Sequence, residues 1–144
     1  MPKKIAALLA IIIFFDRLLK AAAAAGLFSA PLSLAGDWFR LYFIRNFNIA
    51  FSLPASGWPL EIIIFIIIFA VTFYLVKLYL NKDYKIAGCL AFVLLGAASN
   101  FFDRIKYGYV IDYLDVKYFT VFNLADVMIA GGVAGLIYYF KKER

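Results

Sequence analysis

The chain has 144 residues, 66% hydrophobic and 19% aromatic, with a net charge of +6 and no histidine. A mean hydropathy of +0.89 is far above that of soluble domains, which are about half apolar, and it excludes a water-soluble globule. The missing histidine removes the base of Ser-His-Asp and Cys-His devices and the commonest nitrogen ligand of zinc, so any chemistry must use carboxylates, lysines or hydroxyls.

The length suits one domain over residues 1–144. A first apolar stretch runs from Ile5 to about Ala25 and carries only Asp16, Arg17 and Lys20 as charges. As a helix it reaches ~31 Å, enough to cross a bilayer. Lys3 and Lys4 ahead of it would also suit a cleaved signal peptide, but three charges separate the apolar run from the alanines that follow. A second span is expected from about Trp58 to Val76, the least polar of all and so lipid-facing. A third covers about Ile86 to Phe102 and holds Gly88, Gly96, Ala97, Ala98 and Ser99, small residues that let helix backbones approach closely in lipid. Cys89 lies within it and reads as inert packing. The fourth is expected from about Val121 to Phe140, with Tyr138 and Tyr139 suited to a membrane interface.

These elements describe an all-α membrane protein of four transmembrane helices with both termini on one side. Eight basic residues lie on that side (Lys3, Lys4, Lys77, Lys82, Lys85, Lys141, Lys142 and Arg144). Five lie on the other (Arg40, Arg45, Arg104, Lys106 and Lys117). The positive-inside rule therefore makes the termini cytoplasmic, and the surplus of basic residues speaks for anionic lipid rather than nucleic acid. Two long outer segments remain, about 26–57 and 103–120. DWFRLYFIRNFNIAFSLP in the first and GYVIDYLDVKYFTVF in the second are rich in alternating, branched and aromatic residues. They are expected to pair as a small β-rich extracytoplasmic platform.

An ionisable group within a span is costly, so each one is a candidate for function. Asp16 and Lys20 stand four apart on one helix face and can pair. Glu61, near a span end, reads as an interfacial carboxylate. Asp126 falls about five residues, or ~7.5 Å, into the fourth span, with Asn123 one turn before it and no basic residue within a turn. In the loop ahead of that span, Asp103 and Arg104 form the natural structural pair, while Asp112 has no adjacent base. If Asp112 meets Asp126 at the mouth of the bundle, the two carboxylates cannot both ionise easily and share a proton. Such a pair hydrolyses amides: one member takes a proton from the attacking water and the other donates to the carbonyl oxygen.

The blocks GAASNFFDRIKYGYVIDY, from Gly96 to Tyr113, and FNLADVMIAGG, from Phe122 to Gly132, closely resemble the diagnostic motifs of the prolipoprotein signal peptidase (signal peptidase II) family. NFNIAFS, from Asn46 to Ser52, and the pair Asp16 and Lys20 are similar to two weaker family motifs, so the resemblance covers nearly the whole chain. It implies an intramembrane aspartyl endopeptidase with Asp112 and Asp126 as the catalytic pair at the outer face of the bacterial inner membrane. It also implies that Asn46, Asn100, Asp103, Arg104 and Asn123 position the pair or contact substrate, and that Asp16 and Lys20 tie the first helix to the site. The implied substrate is a prolipoprotein already carrying diacylglycerol on a cysteine and cut just before it. The protein is expected to be a monomer, to need no cofactor and to bind no metal. Three positions depart from the family pattern: Asn48-Ile49 stands where Gly-Ala is usual, Ser99 where glycine commonly precedes the asparagine, and Tyr113 where phenylalanine is usual.

Two rival readings come from other classes. Several aspartates at an interface would suit a metal-dependent membrane lipid phosphotransferase, and Gly108, Asp112 and Asp115 faintly suggest its acidic motif, with the spacing one residue short. A small proton-coupled four-helix transporter would use Asp126 as its relay.

Overall fold

The computed structural model describes residues 3–47 and 57–142; the Asn48-Ile49 departure and the motif beyond Phe47 lie outside them. Among the described residues are four helices: α1 (Lys3–Ala24), α2 (Trp58–Leu80), α3 (Tyr84–Tyr107) and α4 (Leu124–Lys142). Four strands, β1 (Leu32–Ala35), β2 (Phe39–Asn46), β3 (Val110–Val116) and β4 (Val121–Phe122), form one sheet at the end of the bundle. Three of the helices, α2, α3 and α4, are long and apolar enough to cross a membrane. The 22-residue α1 differs by carrying Asp16, Arg17 and Lys20 along its inner length.

The helices pack as the sequence dictates. The most apolar, α2, buries only Leu60 and Leu78 and turns tightly into α3 through Lys82 in a left-handed conformation. Glycines draw α3 and α4 together: a Cβ at Gly132 would fall 2.6 Å from the Cys89 carbonyl oxygen, and one at Gly96 would strike the Ala125 carbonyl. Leu9, Ala91 and Met128 close the core shared by α1, α3 and α4.

The sheet is antiparallel in the order β1-β2-β3-β4. Its central β2–β3 pairing joins the two outer segments as expected, with Ile44 opposite Asp112, Arg45 opposite Ile111 and Asn46 opposite Val110. β3 is the buried strand, and Ile111 and Tyr113 pack with Ala23 and Phe28 against the end of α1. β1 was not foreseen.

Three expected boundaries move, the first being the end of the second helix, which runs to Leu80 rather than Val76. The third helix does not stop at Phe102 but continues to Tyr107, ending at Gly108, whose φ of 77° closes the helix in the left-handed region where glycine costs least. Asp103 and Arg104 therefore stand on the last turns of α3, not in a loop. The fourth helix begins at Leu124, because Val121 and Phe122 pair with β3. Asp126 thus lies in its first turn rather than five residues inside it.

Candidate active site

The start of α4 organises the polar centre. Asn123 is its N-cap: its Oδ1 accepts from the Asp126 N–H at 2.9 Å, while Asp126 Oδ2 accepts from the Asn123 N–H at 3.2 Å. This is a reciprocal capping box, and it holds the Asp126 carboxylate over the helix N-terminus, where negative charge is favoured. The remaining amides of the turn are also satisfied, Leu124 N–H by the Tyr113 hydroxyl at 3.2 Å and Ala125 N–H by Asp16 Oδ1 at 3.1 Å. A helix end that would otherwise carry orphan donors is thereby joined to β3 and α1.

Asp112 projects from β3 beside this turn and is 2% exposed. Asn123 Nδ2 donates to its Oδ1 at 2.7 Å, and Asn46 Nδ2 to its Oδ2 at 2.9 Å. Asn46 sits two residues beyond Ile44, the partner of Asp112 in the ladder, and so lies on the diagonal that brings side chains of one sheet face together. Burial first, and the nearby Asp126 second, push the Asp112 carboxyl up to about 7, against the pull of the two asparagine amides and Lys20.

On the α3 side, Asn100 Nδ2 donates to Asp126 Oδ1 at 2.8 Å, and Asn100 Oδ1 accepts from Lys20 Nζ at 2.8 Å. An ammonium only donates, so Lys20 fixes which end of the amide faces the aspartate. Lys20 is fully buried and also pairs with Asp16 at 3.2 Å and Asp103 at 2.8 Å. The pairing of Asp16 with Lys20 is as expected, but Asp103 turns its carboxylate to α1: Oδ1 meets Arg17 at 2.6 Å and Oδ2 meets Lys20. The expected Asp103–Arg104 pair is corrected by this geometry, since consecutive helix residues point in different directions and Asp103 faces inward, fully buried. Arg104, half-buried, lies within electrostatic reach of Asp112, Glu61, Asp126 and Asp103.

Two anions, Asp16 and Asp103, and two cations, Arg17 and Lys20, thus form a balanced cluster beneath the aspartates. Removing one member leaves a buried unpaired charge, which is why such clusters fix geometry. One of its members, Arg17, and two residues that bond it, Ser99 and Tyr113, were not singled out for the site by the sequence reading. Arg17 clamps Asp103 and lies 4.7 Å from the Phe102 ring centre. Ser99, read as a small packing residue and a departure, and Tyr113, noted as a departure, bond Asp16 at 2.6 Å and 3.1 Å. The unfilled charge of Arg17 within an apolar span was the one signal available for the first; the other two depend on tertiary placement.

All nine expected site residues therefore meet at one end of the bundle: Asp16 and Lys20 from α1, Asn46 from β2, Asn100, Asp103 and Arg104 from α3, Asp112 from β3, Asn123 at the α4 cap and Asp126 in α4. Among the described residues no group of His, Cys, Asp and Glu side chains is arranged to hold a metal ion. The arrangement has two carboxylates joined through one asparagine, which donates its side-chain amide to Asp112 and its backbone N–H to Asp126.

Comparison with known proteins gives the family. A model of signal peptidase (SPase) II matches residues 8–142. A lipoprotein signal peptidase of Caldicellulosiruptor bescii is 37% identical over 128 residues, covering 89% of this chain and 84% of that protein. Another, from Caldanaerobacter subterraneus subsp. tengcongensis, is 32% identical over 139 residues, with 93% and 94% covered. In fold, the chain superposes on a bacterial membrane enzyme solved in meso at 2.3 Å with a TM-score of 0.85 at 22% identity, covering 99% of this chain and 90% of the other.

Proposed function

Because the chain belongs to the signal peptidase II family, and so is a protease that removes signal peptides from prolipoproteins, we propose that Asp112 and Asp126 are its catalytic dyad. The family match favours this activity over the phosphotransferase and transporter readings. The observation that carries the dyad is Asn123, which donates to Asp112 and caps the helix turn bearing Asp126.

In the proposed mechanism the pair shares one proton, held at rest by Asp112. Asp126, whose carboxylate accepts from the Asn123 N–H and the Asn100 amide, is assigned the charged role. Asp126 takes a proton from water as the oxygen attacks the scissile carbonyl, and Asp112 gives its proton to the carbonyl oxygen. Collapse of the tetrahedral intermediate returns a proton to the leaving amine. Asn46, Asn100 and Asn123 hold the carboxylates; Arg104, beside both, is assigned to substrate contact. Asp16, Lys20 and Asp103 fix α1 and α3 around them.

The substrate is read as a prolipoprotein already bearing diacylglycerol, cut just before the modified cysteine. Support comes from α4: the face carrying Asp126 continues as Ala130, Val133 and Ile137, all exposed. Acyl chains lying along this stripe would hold the peptide at the depth of the dyad, each buried CH₂ contributing ~0.8 kcal/mol. The protein is further read as a monomer of the bacterial inner membrane with four spans. All three inner charges of α1 are paired within the bundle, while Leu8, Ile11, Phe14, Phe15 and Leu18 are exposed along its outside. The termini would be cytoplasmic and the sheet extracytoplasmic.

The test is single-turnover cleavage of a diacylglyceryl precursor and its unmodified counterpart in detergent, with and without chelator. Rapid cleavage before the modified cysteine, unaffected by chelator and at least ~100-fold slower without lipid, is expected. Equal rates on the two precursors would refute the lipid anchoring.

A further inference from the structure

Asp16 is fully buried, yet it is not a member of the dyad and does not touch it. Its surroundings are unusually complete. Oδ2 accepts from the Ser99 hydroxyl at 2.6 Å and from Lys20 at 3.2 Å; Oδ1 accepts from the Tyr113 hydroxyl at 3.1 Å and from the Ala125 N–H at 3.1 Å. These four donors match the four acceptor sites of a carboxylate.

The proton direction is forced at both hydroxyls. Ser99 Oγ also lies 3.2 Å from Arg17 Nη1 and 3.4 Å from Lys20 Nζ, groups that can only donate. Tyr113 Oη also receives the Leu124 N–H at 3.2 Å. Each hydroxyl oxygen is thus an acceptor toward nitrogen, which leaves its own proton for Asp16. Burial and the neighbouring Asp16 raise the Tyr113 phenol far above its usual range, so it remains a donor.

Tyr113 has a further geometric property. It follows Asp112 directly on β3, and its hydroxyl meets Leu124, two residues before Asp126 on α4. It is fully buried, so it cannot reach substrate. One rigid ring therefore spans from the strand that carries one aspartate to the helix that carries the other, and Asp16, held by Ser99, braces the far end of that ring.

We propose that Tyr113 and Ser99 are positioning residues that set the separation of the two aspartates, Tyr113 as a strut between β3 and α4 and Ser99 by locking Asp16 onto the strut and the α4 amide. The proposal rests on the reading of Asp112 and Asp126 as the dyad. Loss of the strut lets the carboxylates part, which weakens the repulsion that Asp126 exerts on Asp112. Asp112 then gives up its proton at a lower pH. The other groups facing it are Lys20 from α1 and Arg104 from α3, with neutral Asn46 from β2 and Asn123 from the α4 cap. Tyr113→Phe touches none of these, whereas Ser99→Ala also removes a partner of Lys20, so the tyrosine variant is the cleaner probe.

The test compares wild type, Tyr113→Phe, Ser99→Ala, the double variant and Asp112→Asn in pH profiles of single-turnover cleavage, with thermal unfolding in detergent alongside. Tyr113→Phe keeps the ring and gives the residue usual at this position in the family, but in this chain the hydroxyl holds both Asp16 and the Leu124 N–H, so the change is expected to lower kcat about tenfold, with KM within twofold, and to move the alkaline limb to lower pH by about half a unit. Ser99→Ala should do the same to a smaller extent. The double variant should fall short of the product of the two losses, because both act through one carboxylate. A loss of folded protein alone lowers the amplitude and leaves the limb in place, so an unmoved limb in both single variants overturns the proposal even where activity falls. Wild-type kcat in the double variant overturns it as well. An active Asp112→Asn would instead remove the dyad reading, a separate outcome.

Discussion

Asn123 donates its side-chain amide to Asp112 Oδ1 at 2.7 Å, and the same residue caps the helix that presents Asp126. One side chain therefore serves as both a structural cap and the link between two carboxylates. The roles separate by substitution. Asn123→Ser keeps a good N-cap but is too short to donate to Asp112, so it should keep more thermal stability than Asn123→Ala while cleavage falls by at least ~100-fold. Asn123→Ala should lose both, with ~0.5–2 kcal/mol of stability gone with the cap. Paired unfolding and activity measurements check this, and an active Asn123→Ser would contradict it.

The rate should depend on pH as a bell. Burial and Asp126 raise Asp112 to about 7, and as the acid it acts only while protonated, so activity is present below that value and lost as pH rises through it. On the acid side, activity falls when the partner aspartate also takes up a proton. Single-turnover rates between pH 4 and 9 test the sign: a rate still climbing above pH 8 would exclude Asp112 as the acid.

Gly96 touches the Ala125 carbonyl, one residue before Asp126. A methyl group there must push the first turn of α4 away from α3. Gly96→Ala should cost ~1–3 kcal/mol as overpacking and reduce cleavage more than tenfold. Gly131→Ala, whose added Cβ would meet nothing within 4 Å, is the control and should change neither.

Much of this architecture was legible in the sequence. Apolar runs located the helices, and the alternation in the two outer segments gave the β2–β3 pairing. The failures have physical causes. Helix α3 appeared to end where its charges begin, but Asp103 turns inward onto Arg17 and Lys20, so charge did not mean solvent. Helix α4 appeared to begin at Val121 because hydropathy cannot distinguish an apolar strand end from a helix start; the Asn123-x-x-Asp126 spacing was the missed capping signal. Strand β1 is exposed along its whole length and so has no buried face to mark it. Asp112 and Asp126 were legible as candidates, and the motifs placed Asn46, Asn100 and Asn123 around them; the brace on Asp16 was not legible, because Ser99 and Tyr113 meet it from 83 and 97 positions away.

The membrane orientation is open to direct test. Reporter fusions at residues 3 and 142 should both report a cytoplasmic position, and a cysteine introduced at Lys117, in the turn between β3 and β4, should be labelled by an impermeant reagent from outside. Termini on opposite sides would mean that α1 does not span, and would contradict the four-span reading.

The most direct test of the dyad is single-turnover cleavage of a lipid-modified precursor by wild type, Asp112→Asn and Asp126→Asn, each shown to insert and to unfold at the wild-type temperature. Both variants should lose at least ~1,000-fold in rate, about 4 kcal/mol of transition-state stabilisation, because either change removes the shared proton. Retention of more than about a tenth of the wild-type rate by either, a loss below ~1.4 kcal/mol, would contradict the assignment of that aspartate to catalysis.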